Sequence, residues 1–371
     1  MPRYDFLIVG AGLYGATFAN IATRKGKKCL VIDKKDHIAG NCYTQEENGI
    51  IQHVFGPHIF HTSNEKVWKY ITQFGQFNNF INSPLAKIGN EIYNLPFNMN
   101  LFSKLFHITT PEEAQEILTN EVEKYKDMVP QNLEEQALKL VGDTIYNKFV
   151  KDYTEKQWGV SCKNLPASTI KRLPFRMTYD NNYFNDTYQG IPKQGYTKLI
   201  HNMLIGIEVR PKTELKDIES DIQSSYFCDD VIFTGKIDEF FDYEYGELQY
   251  RSLLYINLWD DRQNFQGNAV VNYPHKDIPY TRCIEHKHFD KDNTTPRTLI
   301  SYEFSVIHEP GKNTPSYPIE NERNITRYNK YKKLASKLKN VHFAGRLGEY
   351  KYYDMDDTIE KAMELAEKLT E

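Results

Sequence analysis

Six residues near the N-terminus, Gly10-Ala11-Gly12-Leu13-Tyr14-Gly15, have the G-x-G-x-x-G spacing of a phosphate-binding turn. In such a turn the first glycine makes the sharp bend, the second lets the backbone approach a pyrophosphate, and the third lets a helix pack closely on a strand. The N–H groups of the helix that follows would face the phosphates. The motif predicts an ADP-containing dinucleotide as the ligand; a glycine turn that binds nothing is the alternative.

The elements around this motif are those that a dinucleotide-binding unit needs. An apolar run, Tyr4-Asp5-Phe6-Leu7-Ile8-Val9, precedes the motif and predicts a buried parallel strand. An alanine-rich helical segment follows, and then a second strand, Cys29-Leu30-Val31-Ile32, which ends at Asp33. The carboxylate of Asp33 would be placed to accept a hydrogen bond from a ribose hydroxyl.

The loop after Asp33 is basic and contains a glycine, which suits a segment that crosses the phosphates of a dinucleotide. It begins at Lys34 and reaches Gly40 and Asn41. A solvated charged loop is the alternative interpretation, but the position directly after the second strand favours contact with the cofactor.

Three histidines, His53, His58 and His61, lie around a loop that begins at Gly56. They could suggest a metal site, but no carboxylate accompanies them and their spacing is not a helical H-x-x-x-H. We therefore expect no metal here. We interpret the histidines as hydrogen-bonding groups of a loop packed against the cofactor.

The end of the chain contributes a strand that runs into a glycine and an arginine, Phe343-Ala344-Gly345-Arg346. An extended FAD needs contacts from the end of the chain, whereas NAD is usually held by one contiguous domain, so this strand favours FAD. A flavin would carry the reaction itself, and the protein would orient a substrate against its ring. The absence of a Ser–His–Asp order and of paired carboxylates in the sequence is consistent with such a division of labour.

The periodicity divides the chain into interleaved parts. Capping patterns at Thr110-Pro111-Glu112-Glu113 and Asn132-Leu133-Glu134-Glu135, each followed by an apolar stripe, predict a mainly helical domain over residues 64–178. The second stripe continues past Gly142. Later stretches of strand pattern predict an antiparallel sheet, assigned to residues 179–194 and 241–324. Residues 1–63, 195–240 and 325–371 would form a discontinuous FAD-binding domain. The predicted fold class is α/β: a Rossmann-like FAD-binding domain with a helical insertion and an antiparallel substrate-binding sheet.

The composition excludes some classes of function. The net charge of −4 over 371 residues gives no basic footprint for nucleic acid or for an anionic membrane. No apolar run is long enough to span a bilayer and no signal-peptide pattern is seen, so we expect a cytoplasmic protein. The five scattered cysteines indicate reduced thiols rather than a disulfide framework.

Several longer stretches resemble one family, the bacterial UDP-galactopyranose mutases, and the resemblance covers Tyr4 to about Asp357. Its most specific stretches are Gly56 to His61, Asn82 to Ala86, Tyr93 to Asn100, Tyr153 to Gly159, Asp180 to Phe184, Tyr280 to Arg282 and Gly345 to Met355. The resemblance implies an isomerase that interconverts UDP-galactopyranose and UDP-galactofuranose with no net redox change. In this family the N5 of reduced FAD attacks the anomeric carbon, UDP leaves, the ring opens through an iminium and closes through another hydroxyl, and UDP returns.

The resemblance also implies further properties. The family is typically homodimeric and supplies furanose units for surface glycans. Whether UDP-N-acetylgalactosamine is also a substrate stays open. Two other functions stay open as well: a flavin oxidoreductase of the amine-oxidase type, which would not need a diphosphate clamp, and a flavin or nucleotide-sugar binding protein without activity.

The resemblance assigns roles to individual residues. The catalytic residues would be Arg172, Arg282, His61 and Asp354, with both arginines on the diphosphate and Arg172 in a mobile lid near residues 165–178. The substrate would also contact Asn82, Phe149, Tyr153, Trp158, Tyr183, Arg251, Tyr317 and Tyr352. The cofactor would contact Gly10, Gly12, Leu13, Gly15, Asp33, Lys34, Gly40, Asn41, His58, Ile59, Gly345, Arg346, Tyr352, Asp354 and Met355.

For the isolated aromatic residues, core packing is the alternative interpretation; for Arg172 it is a solvated basic side chain. The chain departs from the family pattern at two positions. Ala39 replaces a glycine that usually precedes Gly40, and Asp33 replaces a commoner glutamate.

Overall fold

The computed structural model describes residues 3–170, 175–218 and 227–371. The strands are β1 (Tyr4–Val9), β2 (Cys29–Asp33), β3 (Thr44–Glu47), β4 (Ile50–His53), β5 (Phe60–Thr62), β6 (Leu85–Ile88), β7 (Glu91–Asn94), β8 (Phe97–Asn98), β9 (Phe175–Arg176), β10 (Tyr188–Gly190), β11 (Glu208–Pro211), β12 (Cys228–Phe233), β13 (Tyr250–Asp260), β14 (Val270–Asn272), β15 (Arg282–Glu285), β16 (Thr298–Ile307), β17 (Pro315–Pro318) and β18 (Val341–Phe343). The α-helices are α1 (Leu13–Arg24), α2 (Glu65–Ile71), α3 (Met99–Phe106), α4 (Pro111–Glu123), α5 (Leu133–Ile145), α6 (Lys151–Trp158), α7 (Gly195–Met203), α8 (Ile237–Phe240), α9 (Glu322–Ala335), α10 (Gly345–Gly348) and α11 (Met355–Leu369).

A parallel sheet in the order β11-β2-β1-β12-β18 organises the first part of the fold. Its central strand β1 carries Leu7 and Ile8, which are both fully buried on opposite faces of the sheet. Helix α1 packs on α11, so the N-terminal motif and the end of the chain lie together. This arrangement confirms the predicted Rossmann-like part of the fold. It also joins strands from three separate stretches of the chain in one sheet.

A second sheet of seven strands has the order β17-β13-β16-β15-β14-β6-β7. All neighbours pair antiparallel except β14 and β6, which are parallel, with Val271 opposite Leu85. The hairpin β6–β7 comes from the range 64–178, which we predicted to be mainly helical, so this range also extends the sheet. The expected domain boundaries otherwise stay a prediction.

Helices α3 to α6 pack into a core of their own beside this sheet. Helix α4 begins with the predicted capping box, in which Thr110 and Glu113 bond each other's backbone N–H groups. Helix α5 differs from the prediction, because its backbone breaks at Gly142, which has φ +71° and ψ −179°. The helix resumes after this break. There the Glu121 side chain accepts hydrogen bonds from the Thr144 backbone N–H (3.1 Å) and hydroxyl (2.8 Å).

A π-helical turn, Tyr146–Val150, then leads into α6. The wider turn and the break at Gly142 change the phase of the helix, so that the apolar stripe read from the sequence is not one continuous face. In the part of the chain that the structure describes, no helix is both long enough and apolar enough to cross a membrane.

Candidate functional site

A cavity of about 890 Å³ opens at the carboxyl ends of the parallel strands. The predicted cofactor residues that line it are Gly10, Gly12, Leu13, Asp33, Lys34, Gly40, Asn41, His58, Gly345, Arg346 and Met355. This is the edge at which open parallel sheets bind nucleotides, and the volume lies in the range of cofactor sites. The N-terminal motif, the loop after β2 and the end of the chain therefore meet at one cavity.

The glycines of the motif have the structural roles that their spacing predicts. Gly10 has φ +114°, a conformation that side chains disfavour, and turns the chain from β1 toward α1. A Cβ at Gly15 would lie 2.0 Å from the carbonyl oxygen of Gly10, so helix and strand could not pack with any side chain there. Gly12 is the N-cap of α1, and a Cβ there would approach only the Cα of Gly40, at 3.9 Å. Gly12 thus leaves its backbone open to the cavity.

The buried carboxylate of Asp33 braces this turn. Its Oδ2 accepts a hydrogen bond from the backbone N–H of Ala11 (2.8 Å), and its Oδ1 accepts one from that of Lys35 (2.9 Å). Each oxygen keeps a second lone pair, and the residue lines the cavity. Asp33 can therefore accept from a ribose hydroxyl while it holds the loop in place.

Ala39 adopts the backbone conformation of the glycine that it replaces. Its φ is +77°, in the left-handed region, and its N–H donates to the carbonyl of Ala11 (2.9 Å). Gly40 follows with φ +52° and lies against Gly12. The departure from the family pattern leaves the backbone path intact, although an alanine in this region carries about 1–2 kcal/mol of steric cost.

The chemistry of the cavity wall fits an anionic dinucleotide. The ammonium of Lys35 is buried and has no hydrogen-bond partner among the described residues; it lies 4.3 Å from the centre of the Phe55 ring. Burial lowers the pKa of this lysine. Lys35 lines the cavity, and an ammonium without a hydrogen-bond partner is a complement for phosphate oxygens.

Several lining residues were not predicted. They follow β11 and β12 and comprise Thr213, Glu214, Leu215, Lys216, Thr234, Gly235 and Lys236. The sequence could have predicted them. Parallel strands end at the same edge of a sheet, so the segment after each predicted strand was a candidate for contact with the cofactor.

The histidine loop meets the inner end of this cavity through His58. The His58 ring bonds the carbonyl of Gly56 through Nδ1 (2.7 Å), and its backbone N–H donates to Nδ1 of His53 (3.1 Å). The pKa of His58 is lowered to about 4, mainly by burial and to a smaller extent by the charges of Arg346 and Arg282. His58 is therefore neutral near pH 7, with Nδ1–H on the carbonyl and Nε2 as an acceptor.

His61 is placed differently. Its Nδ1 lies 2.8 Å from a carboxylate oxygen of Asp186, and its ring stacks on Phe184 at 3.7 Å between centroids. Neither His61 nor Ile59 is among the residues that line the two cavities in the described part of the chain. No group of three or more histidine, cysteine or acidic side chains suited to a metal ion occurs among the described residues.

A second cavity of about 310 Å³ lies between the helical part and the seven-stranded sheet. It is lined by the predicted residues Phe149, Tyr153, Trp158 and Tyr183, together with Ala86, Gln157 and Asn272. The π-helical turn positions Phe149, and α6 positions Tyr153 and Trp158. The side-chain oxygen of Asn272 is buried without a partner among the described residues. An aromatic wall with a few polar groups is what a nucleobase and its sugar require.

Arg282 lies near residues of both cavities, because its charge acts on His58 of the first and on Tyr153 and Tyr183 of the second. It pairs across strands with Glu303, whose carboxylate accepts from Nε (2.8 Å) and Nη2 (2.5 Å). Burial opposes the charge of Arg282, but Glu303 beside it more than offsets this, and the pKa of the guanidinium is raised well above its ordinary value. Burial raises the pKa values of Tyr153, Tyr183 and Tyr317, and the nearby Arg282 charge opposes that rise in all three. The arginine and the three phenols therefore form one cluster.

Arg346 and the Tyr-Tyr-Asp run complete the other side of this cluster. The Arg346 guanidinium lies 4.9 Å from the ring centre of Tyr352 and 5.5 Å from that of Tyr317, and donates to the carbonyls of Ser316 (2.9 Å) and Tyr353 (2.5 Å). The hydroxyl of Tyr352 donates to Asp354 (3.0 Å), and Asp354 also caps α11.

Two predicted substrate residues form hydrogen bonds within the protein, Arg251 through its side chain and Asn82 through its backbone. Arg251, nearly fully buried, donates to the carbonyl of Gln157 (2.8 Å) and to the hydroxyl of Ser305 (3.0 Å). The backbone of Asn82 accepts from the N–H of Tyr183 (2.8 Å) and so holds the segment that carries this tyrosine. Arg172 and part of the expected lid lie outside the described residues.

Comparison with known proteins gives two family matches. The family model of UDP-galactopyranose mutase matches residues 148–352, and that of an NAD(P)-binding Rossmann-like domain matches residues 8–74. Among curated proteins, a dTDP-fucopyranose mutase of Escherichia coli is 39% identical over 97% of both chains. A probable UDP-galactopyranose mutase of Klebsiella pneumoniae is 36% identical and covers 99% of this chain and 95% of its own.

A solved structure of a reduced UDP-galactopyranose mutase has the same fold. It superimposes with a TM-score of 0.76 at 15% identity and covers 99% of this chain and 94% of its own. A putative protoporphyrinogen oxidase from an Exiguobacterium species superimposes with a TM-score of 0.69 at 13% identity, over 100% of this chain and 99% of its own. The fold is thus shared with proteins named as oxidases, and function has to be argued from the site.

Proposed function

The chain belongs to the UDP-galactopyranose mutase family of flavin-dependent isomerases, and we propose that it interconverts UDP-galactopyranose and UDP-galactofuranose with reduced FAD as cofactor. One observation supports this most directly. Arg282, which is half-buried and permanently charged, lies near His58 of the dinucleotide cavity and near Tyr153 and Tyr183 of the aromatic cavity. A nucleotide sugar bound across Arg282 would have its base among the aromatic residues and its sugar toward the flavin.

In this proposal the side chains of the protein bind and orient the substrate. Phe149, Tyr153 and Trp158 form the wall against the base and its sugars, and Arg282 with Arg172 holds the diphosphate. Arginine suits this task because it offers paired N–H donors to phosphate oxygens and stays charged at every relevant pH. The hydroxyls of Tyr183 and Tyr317 would add neutral donors, since burial raises their pKa values. The hydroxyl of Tyr352 would have to leave Asp354 in order to donate to a phosphate.

The cofactor would be held by the glycine turn, Asp33, the loop through Asn41 and the segment from Gly345 to Met355. When bound, reduced FAD would supply a nucleophilic nitrogen, N5, for the anomeric carbon of the sugar. Neutral His58 would present an acceptor, Nε2, at the inner end of the cofactor cavity. We further propose, from the family, a cytoplasmic homodimer whose product supplies furanose units for surface glycans.

A second candidate substrate is dTDP-fucose, because the Escherichia coli relative is named a dTDP-fucopyranose mutase. UDP-N-acetylgalactosamine is a third. A pocket distinguishes two such substrates by small groups, each worth about 1–3 kcal/mol. The substrates therefore have to be compared directly.

The test is to incubate the flavin-loaded protein with each nucleotide sugar, with and without dithionite, and to follow the sugar nucleotide by chromatography. Conversion of UDP-galactofuranose only under reducing conditions, with kcat/KM above that for dTDP-fucose, supports the proposal. A preference for dTDP-fucose would change the substrate and keep the reaction. Oxygen uptake with an oxidised product would indicate an oxidase. Tight binding of a nucleotide sugar without turnover would indicate a binding protein.

A further inference from the structure

A half-buried lysine joins the helix that carries the aromatic wall to the loop that precedes Arg282. Lys156 lies on α6, and its ammonium donates to the backbone carbonyls of His275 (2.9 Å), Ile278 (3.0 Å) and Tyr280 (3.0 Å). It also donates to the carbonyl of Tyr273. The loop between β14 and β15 is thus wrapped around one side chain from a different part of the fold.

The same helix is attached to the sheet at its C-terminal end. Arg251 of β13 donates to the carbonyls of Gln157 (2.8 Å) and Lys156 (3.4 Å), and Ser305 of β16 donates to that of Gln157 (2.5 Å). One turn earlier on the helix, the carboxylate of Asp152 accepts from the backbone N–H of Lys276 in the wrapped loop (3.3 Å). Cationic donors at a helix C-terminus are favourable because the last carbonyls there have no partner within the helix.

The two elements that Lys156 joins carry opposite parts of the proposed substrate site. Tyr153 lies on the same helix, almost one turn before Lys156, and Trp158 ends it; both line the aromatic cavity. Arg282 begins β15 two residues after Tyr280, the last carbonyl of the wrapped loop. The Lys156 ammonium is therefore one of the groups that set the distance between the aromatic wall and the guanidinium, together with the bonds of α6 to Arg251 and Ser305.

We propose that Lys156 is a positioning residue for nucleotide-sugar binding, which fixes the separation between the Tyr153–Trp158 wall and the Arg282 guanidinium. This inference rests on the proposed function. Lys156 would not itself contact the substrate, because its three N–H donors are shared among four carbonyl acceptors within the protein. A loss of the ammonium would release the loop, and a displacement of about 1 Å in a binding group can cost about a hundredfold in rate.

A second lysine that bonds loop carbonyls provides the matched control. Lys287 is buried and donates to the carbonyls of Gln263 (3.0 Å) and Thr295 (2.5 Å), neither of which lines either cavity. The variants Lys156→Met and Lys287→Met each remove an ammonium from a set of carbonyls. A general loss of stability should appear in both, whereas a loss of nucleotide affinity should appear only in the first.

The experiment measures, on flavin-loaded full-length protein, the dissociation constants of UDP and dTDP, KM and kcat for the nucleotide sugar, flavin content and melting temperature. For Lys156→Met we expect a ten- to hundredfold higher dissociation constant and KM, a smaller change in kcat, and the parental flavin content. For Lys287→Met we expect a lower melting temperature and a dissociation constant within twofold of the parent. Should Lys156→Met not fold, Lys156→Gln, which keeps two N–H donors, is measured instead, with a several-fold rise expected.

The outcomes separate this inference from the proposed function. A Lys156 variant that binds as tightly as the parent, or one that loses no more affinity than Lys287→Met, overturns the inference and leaves the proposed function standing. A parental protein that neither binds the nucleotides nor converts any nucleotide sugar overturns the proposed function, and this inference with it.

Discussion

Arg282 and Glu303 face each other on the neighbouring strands β15 and β16, and the carboxylate accepts from Nε and Nη2 of the guanidinium at 2.8 and 2.5 Å. Glu303 is only 3% exposed and also accepts from the hydroxyls of Thr281 (2.8 Å) and Tyr255 (3.1 Å). The Nε–Nη2 edge of the guanidinium is thus bonded to Glu303, which holds the side chain in place. Its remaining N–H groups are the ones available to a diphosphate.

Because of this pair, Arg282→Ala should affect stability as well as turnover. It leaves the buried Glu303 carboxylate without its cation, which costs about 3 kcal/mol in the free energy of unfolding. The double variant Arg282→Ala/Glu303→Gln should regain most of that stability, since the neutral amide needs no counter-charge, and should still lack nearly all turnover. Urea unfolding and the chromatographic assay measure both effects. Near-parental activity of the single variant would remove Arg282 from the diphosphate site.

Arg172 can be tested on the basis of the family resemblance. We expect Arg172→Ala to abolish most turnover while the protein stays yellow, because the second cation on the leaving diphosphate is lost and the flavin site is untouched. Flavin absorbance and kcat/KM are the measurements. A variant with more than about half of the parental kcat/KM would withdraw the phosphate role of this residue.

The glycine motif offers a pair of substitutions with different outcomes. Gly12→Ala meets no protein atom closer than 3.9 Å, so the protein should fold, but the added methyl group lies where a pyrophosphate would approach. Gly15→Ala would place its Cβ 2.0 Å from the carbonyl oxygen of Gly10, so the packing of helix on strand itself should fail. We expect purified, folded, colourless protein from the first and insoluble protein from the second. Circular dichroism and flavin absorbance distinguish the two, and a yellow Gly12→Ala protein would contradict the role of Gly12.

Local chemistry explains why much of this fold could be predicted. The strands around the glycine motif and the capping box at Thr110 are encoded by residues within a few positions of one another. Such features need no knowledge of distant parts of the chain.

The features that were missed depend on pairing between distant residues. The parallel contact of β6 with β14 joins Leu85 to Val271, and the wrapped loop joins Lys156 to carbonyls more than a hundred residues later. Every residue has a backbone carbonyl, so the sequence around Lys156 does not indicate which carbonyls it will bond. The bond of Arg251 to the carbonyl of Gln157 at the end of α6 also joins distant residues, and its expected contact with the substrate stays a prediction.

Stability should decrease as the pH falls below about 6.5, because buried histidines stay neutral in the folded protein. Burial lowers the pKa of His286 to about 3 and that of His53 well below its usual value. In the unfolded chain each would take up a proton near pH 6.5, so the stability that is complete above this pH is lost as the pH falls toward the folded pKa. Each such histidine contributes up to about 1.4 kcal/mol per pH unit in that range.

Urea unfolding between pH 7.5 and 5 checks this expectation. His286→Gln should reduce the slope of unfolding free energy against pH by about one proton. The control His201→Gln changes an exposed histidine on α7 and should leave the slope as it is. A protein whose stability rises toward pH 5, or a His286 variant with the parental slope, would contradict the prediction.

The last prediction compares two neighbouring lysines of the cofactor cavity. Lys34 is exposed and pairs with Glu239 at 3.3 Å, whereas the ammonium of Lys35 is buried and has no hydrogen-bond partner in the described part of the chain. A buried cation of this kind is unfavourable until an anion arrives, so Lys35→Met should stabilise the flavin-free protein and weaken flavin binding at the same time. A charge-assisted hydrogen bond is worth about 1.5–3 kcal/mol, which corresponds to a loss of flavin affinity of about tenfold or more.

Lys34→Met should change flavin affinity by less than about fivefold, because an exposed ion pair contributes at most about 1 kcal/mol. Flavin titration and the melting temperature of the flavin-free protein give the two readouts, and a Lys35 variant that weakens both would show that the side chain supports the fold and does not await a phosphate.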